Sequence, residues 1–115
     1  MTAAATTTPV HRLAQAALRC LWRAGAASAT VPLPSSGEAA EIAWRGPQPM
    51  PDRIPDALTD YETVRLQPAG WSGAHRLVVR VPLVVLDLAW NADEPVRIMT
   101  FCRGDWEDEF LERLA

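Results

Sequence analysis

His75-Arg-Leu-Val-Val-Arg-Val81, Pro82 and Leu83-Val-Val-Leu-Asp-Leu-Ala-Trp90 make up the most apolar stretch of this 115-residue chain. Val, Leu and Trp dominate both halves, and such residues suit a pleated, buried surface. Proline cannot donate to a strand ladder, so Pro82 marks a break or bulge. The run therefore reads as two central strands buried on both sides, or as one long strand bent in the middle. The apolar run from Leu77 to Trp90 carries Arg80 and Asp87. It falls short of the roughly 20 apolar residues that cross a bilayer as a helix.

Downstream, Asn91-Ala-Asp-Glu-Pro95 turns the chain. Val96-Arg-Ile-Met-Thr-Phe-Cys102 then offers a last strand, most simply a hairpin partner of the preceding one. Gly104 ends it, and Asp105 with Asp108 three residues on resembles a capping box opening a C-terminal helix. Trp106, Phe110, Leu111 and Leu114 supply the apolar stripe of that helix, and Glu107, Asp108, Glu109 and Glu112 give it an acidic face.

Upstream, Pro68-Ala-Gly-Trp-Ser-Gly73 reads as a turn and Tyr61 to Gln67 as a strand. Residues 46–55 hold four prolines, which predicts a stiff, extended and exposed arm. Glu41 to Arg45 alternates, with Ile42 and Trp44 on one side, as a short strand does. Residues 25–38 read as a loop or a short extended piece. Ahead of them Thr8 and Pro9 form a helix start. Val10, Leu13, Ala14, Ala17, Leu18, Leu21 and Trp22 follow at helical spacing, and Gly25 occupies the C-cap position. Residues 1–8 are expected to be a flexible leader. The fold class predicted is α+β: one domain with a mostly antiparallel sheet of four to five strands, and a helix from each end of the chain packed on it. The predicted core joins Leu77, Val79, Val81, Val84, Leu86, Ile98 and Phe101 to Leu13, Ala17, Leu18 and Leu21.

All eleven basic residues are arginine, the usage of a GC-rich coding sequence and hence of a bacterium or a phage. The net charge of −3 gives no general pull towards nucleic acid or anionic membranes. The charge is unevenly placed: residues 1–37 hold three arginines and no acid, and residues 81–115 hold three arginines and eight acids. Arg12, Arg19 and Arg23 lie on the outer face of the first helix. They can attract Glu107, Asp108 and Glu112 of another copy, head to tail.

Signatures of chemistry are weak. His75 next to Arg76 would allow a general base beside an anion-steadying cation, but the reading the residues favour is an ordinary strand-edge histidine bonded to backbone or water. Gly70-Trp71-Ser72-Gly73 lacks the spacing of a nucleophile elbow, and the phosphate-loop spacing with its lysine is missing. His11, His75, Cys20 and Cys102 show no metal-ligand spacing, and the two cysteines read as small buried apolar residues. No metal or cofactor is expected. Arg103-Gly104-Asp105 reads as a strand-to-helix turn.

The run His75–Val81, followed by Val96–Arg103 and an acidic helix, loosely resembles the strands of RelE/ParE-type toxins over residues 75–110 at most. That resemblance implies a small ribosome-dependent nuclease or gyrase poison using His75, Arg76, Arg80, Arg97 or Arg103 on one sheet face. The acidic balance and the lack of lysine point away from an RNA binder. The reading the residues favour is a non-catalytic protein-binding or assembly subunit of a larger bacterial or phage complex, cytoplasmic or carried in a virion. Five tryptophans are many for this length, and aromatic and arginine side chains dominate interfaces. Trp71, in its loop, is the expected partner anchor. The expected partners are protein, as a homo-oligomer or a multi-protein complex, and neither nucleic acid nor membrane.

Overall fold

A computed structural model describes residues 9–34, 36–46, 49–55, 75–81, 84–91, 96–98 and 106–114. The expected leader at 1–8, the strand at 61–67, the loop bearing Trp71, and Phe101 and Cys102 lie outside them.

Helix α1 spans Pro9–Ala24. Its stripe of Val10, Leu13, Ala14, Ala17, Leu18 and Leu21 is buried to within 2% exposure. The helix ends as the sequence predicts. Gly25 takes φ +64°, a left-handed conformation that costs a side-chain-bearing residue roughly 1–2 kcal/mol. Its N–H donates to the Trp22 carbonyl, and the Ala26 N–H donates to the Leu21 carbonyl, closing a Schellman cap.

Five strands follow: β1 (Ser28–Leu33), β2 (Glu38–Arg45), β3 (His75–Val81), β4 (Val84–Trp90) and β5 (Arg97–Ile98). They form one sheet in the order β1-β2-β3-β4-β5, and every neighbouring pair is antiparallel. β1 arises from the segment expected to be a loop or short extended piece. Val31 and Leu33 face inward, while Ser28, Thr30 and Pro32 are exposed. As an edge strand, β1 tolerates Pro32, whose missing N–H costs no ladder bond there. Leu33 pairs with Glu38, so residues 34–37 make the connection, and Gly37 adopts φ +73°.

The run that decided the fold is two strands and not one bent strand. Val81 lies opposite Val84 and His75 opposite Trp90, so the two strands are antiparallel neighbours and the chain reverses between Val81 and Val84. Burial on both faces holds for β4, where Leu86, Asp87, Leu88, Ala89 and Trp90 are all buried. β3 alternates instead, with Leu77, Val79 and Val81 buried and Arg80 exposed. β5 pairs with β4, Ile98 opposite Leu88, as the hairpin expectation required.

Helix α2 spans Trp106–Leu114. α1 packs across β1, β2 and β3, while α2 lies against α1 and the edge strand β1. Leu13, Ala17, Leu18 and Leu21 share one core cluster with Leu77, Val79, Val81, Leu86, Ile98 and Phe110.

The proline-rich arm departs from expectation. Its described residues, 46 and 49–55, have no regular structure, but they are not exposed throughout. Ile54 is 1% exposed, and Met50 packs half-buried against the core. The cause is a set of polar side chains on α1. The Gln15 carboxamide donates to the Asp52 carbonyl (3.0 Å) and accepts from the Ile54 N–H (2.8 Å). His11 Nε2 bonds the Ile54 carbonyl at 3.2 Å, and the Trp22 indole N–H donates to the Pro51 carbonyl. A stretch that cannot join a sheet is thus satisfied by a helix.

Candidate functional site

The outer surface of α1 has three strips, set by the 3.6-residue period. At about 100° per residue, Arg12, Arg19 and Arg23 fall within roughly 40° of one another, opposite the buried stripe. All three are exposed. On one flank Gln15 and Trp22 meet the arm. On the other Ala16 and Cys20 are half-buried, and beyond Ala16 lies α2.

Between α1 and α2 runs an open groove of about 440 Å³, lined by Arg12, Ala16, Arg19, Arg23, Leu111 and Leu114 together with His11 and Gln15. Its floor is apolar and its α1 rim is cationic. Arg23 NH2 donates to the Leu114 carbonyl at 2.6 Å. That carbonyl belongs to the negative end of the α2 dipole, where a cation is stabilising. Arg12 and Arg19 have no hydrogen-bond or ion-pair partner among the described residues. Elsewhere on α2, outside the groove lining, Asp108 and Glu112 are exposed, also without such a partner among the described residues. Glu107 is half-buried. The structure therefore brings six of the seven sequence-predicted site residues onto two adjoining helices, with the seventh, Trp71, outside the described residues.

Trp22 is the sole exposed large apolar side chain among the described residues, at 48%. It borders a shallow pocket of about 360 Å³ shared with Leu21, Gly25, Ala26, Ala27, Pro49 and Met50. The sequence reading placed Trp22 in the helix stripe, one position past the buried part.

A second cluster sits on the inner face of the sheet. His75 (β3) stacks on Trp44 (β2) at 5.6 Å and on Trp90 (β4) at 5.5 Å between ring centroids, and the two indoles lie tilted to each other at 5.8 Å. Trp44 Nε1 and His75 Nδ1 are buried without a hydrogen-bond partner among the described residues. Arg76, the residue expected to work beside His75, points the other way, since neighbours in a strand face opposite sides. Its guanidinium grips Asp87 bidentately, Nε to Oδ1 at 2.9 Å and NH2 to Oδ2 at 2.7 Å. The hydrogen bond to Asp87 raises the Arg76 pKa above its ordinary value, against a smaller opposing effect of burial. His75 and Arg76 thus do not converge on one substrate, and Arg80 shares the outer face with Arg76. Among the described residues no three His, Cys, Asp or Glu side chains gather as a metal site, and no helix is long and apolar enough to cross a membrane.

No family model matches this chain, and no curated protein or solved structure is significantly similar to it.

Proposed function

We propose that this chain is a non-catalytic protein-binding subunit of a larger assembly, and that the arginine ridge of α1 is its docking surface. One observation carries the reading. Arg12 and Arg19 stand exposed along a groove with an apolar floor, and no acid of the described chain lies within ion-pairing distance of either. Arginine at the rim of an apolar groove is the chemistry of partner recognition, because the planar guanidinium pairs carboxylates and its stem covers apolar surface. The half-exposed Trp22 on the same helix adds an aromatic anchor of the kind enriched at interface hot spots. A bacterial or phage setting follows from the arginine-only basic composition and from nothing in the fold.

The enzymatic reading, a RelE/ParE-like toxin or another small nuclease, has less support. It needs a histidine and arginines on one sheet face, and His75 and Arg76 occupy opposite faces. The experiment is to recover the tagged protein from its source and measure its native mass. Wild type should carry a stoichiometric protein partner or further copies of itself, and Arg12→Glu/Arg19→Glu should lose them. A wild-type protein that is monomeric and partnerless in that extract would refute the proposal.

A further inference from the structure

The groove between α1 and α2 has a one-sided charge. Its lining holds Arg12, Arg19 and Arg23 and, among the described residues, no acid. Two of these arginines stand where helix electrostatics disfavours them. Arg12 lies in the first turn of α1, which has no acid, and the positive end of the helix dipole repels a cation there. Arg19 sits one turn before Arg23, and like charges at that spacing destabilise a helix. Arg23 is held by the Leu114 carbonyl. Arg12 and Arg19 are exposed and have no hydrogen-bond or ion-pair partner among the described residues to offset the cost.

We infer that this groove receives an acidic amphipathic helix of a different protein, with carboxylates over Arg12 and Arg19 and an apolar stripe on Leu111, Leu114 and Ala16. The inference rests on the reading of the arginine ridge as a docking surface, and adds the chemistry of the partner. Charge complementarity carries it. Carboxylates at the ridge offset both unfavourable placements, Arg12 against the dipole and Arg19 against Arg23. The ridge also has the reach of a short helix. Arg19 lies about 10 Å and Arg23 about 16 Å along the axis from Arg12, so three turns of a partner helix cover all three. An amphipathic helix laid apolar side down is the usual occupant of a groove with an apolar floor. A nucleic acid supplies the negative charge but leaves the two leucines uncovered, and the chain's net charge of −3 repels a polyanion at long range. A second copy meeting groove to groove sets arginine against arginine.

The test uses a labelled synthetic helix of about 15 residues, with leucines along one face and glutamates flanking them. Its binding to the full chain is followed by fluorescence anisotropy. Wild type should bind this peptide at low salt and release it as salt rises. The same peptide with glutamine for glutamate, or alanine for leucine, should bind about tenfold more weakly or worse. Arg12→Gln/Arg19→Gln should lose about tenfold in affinity while its urea midpoint stays at or above that of wild type, because two ill-placed charges are gone. Arginines with a merely structural role would lower that midpoint instead. A lysine version of the peptide should bind Arg12→Glu/Arg19→Glu, shown to be folded by circular dichroism, and not wild type. If that reversal fails to fold, the glutamine variant carries the test alone. The inference is overturned if the glutamate peptide does not bind, if the glutamine or alanine peptide binds equally well, or if the arginine variants bind as wild type does. Tighter binding of a DNA duplex at the same arginines, or self-association through them, would overturn it too. A partner recovered from the source that Arg12→Glu/Arg19→Glu loses, but that the glutamate peptide does not displace, would overturn only this inference. A partnerless monomer would overturn the docking reading as well.

Discussion

Replacing Gln15 with alanine should loosen the proline-rich arm in a way that is measurable both locally and globally. Gln15 stands in for a neighbouring strand. Its amide donates to the Asp52 carbonyl at 3.0 Å and accepts from the Ile54 N–H at 2.8 Å. Alanine removes both bonds. Each hydrogen bond has a net contribution of about 0.5–1.5 kcal/mol, and the part-buried Ile54 N–H is left without its acceptor, so the expected loss is about 1–3 kcal/mol. The upper end applies if the Ile54 side chain, 1% exposed, also leaves the core. Urea unfolding followed by tryptophan fluorescence gives the loss as a lower midpoint at unchanged slope. Amide exchange at Ile54 gives the local effect, and its protection should fall before that of Leu77 or Val79. A Gln15→Ala protein within about 0.3 kcal/mol of wild type, with Ile54 still protected, would refute the idea that α1 holds the arm.

Leu18→Ala, at a position with no exposure in the centre of the core, should cost about 2–5 kcal/mol by the same assay. Gly37→Ala should cost roughly 1–2 kcal/mol from its left-handed backbone alone, since a methyl group there meets no atom within 4 Å. A neutral result would mean that the β1–β2 connection adapts. Arg76→Ala leaves the nearly buried Asp87 carboxylate without its bidentate partner. Arg76 is exposed enough for solvent to screen the pair, so about 1 kcal/mol is expected. The raised Arg76 pKa means that its contribution is complete below the ordinary arginine value and is lost only above the folded one. Wild-type and Arg76→Ala stabilities should therefore run parallel from neutral into mildly alkaline pH.

Local signals carried the elements that have strong punctuation. α1 has a proline near its start, a wide apolar stripe and a glycine at its end, and each of these acts within a few residues. The β3 and β4 sequences announced strands through their Val and Leu content. Pro82 did not say whether the chain bends or reverses, because proline favours both, and only the pairing of Val81 with Val84 decides it. β1 was hidden because Ala, Ser, Thr and Pro give the alternation little amplitude, so its Val31 and Leu33 looked isolated. The arm was misjudged for a tertiary reason: one isoleucine among prolines needs burial, and the groups that bind its backbone sit about 40 residues away on α1. The separation of His75 from Arg76 was legible, since alternation in a strand forbids neighbours from sharing a face. The arginine ridge could be read from helical spacing. Its groove with α2 could not, as no local rule places the two ends of the chain side by side.

The central claim is that the exposed arginines of α1 hold a protein partner, and the most direct test is the native mass of the tagged protein recovered from its source, measured against salt. Sedimentation of the recovered wild type should show a mass above that of one chain at low ionic strength, from a partner or from further copies, and dissociation as salt screens the arginine contacts. Arg12→Glu/Arg19→Glu should be monomeric throughout. A wild-type mass that is independent of salt and identical to that of the variant would contradict the claim.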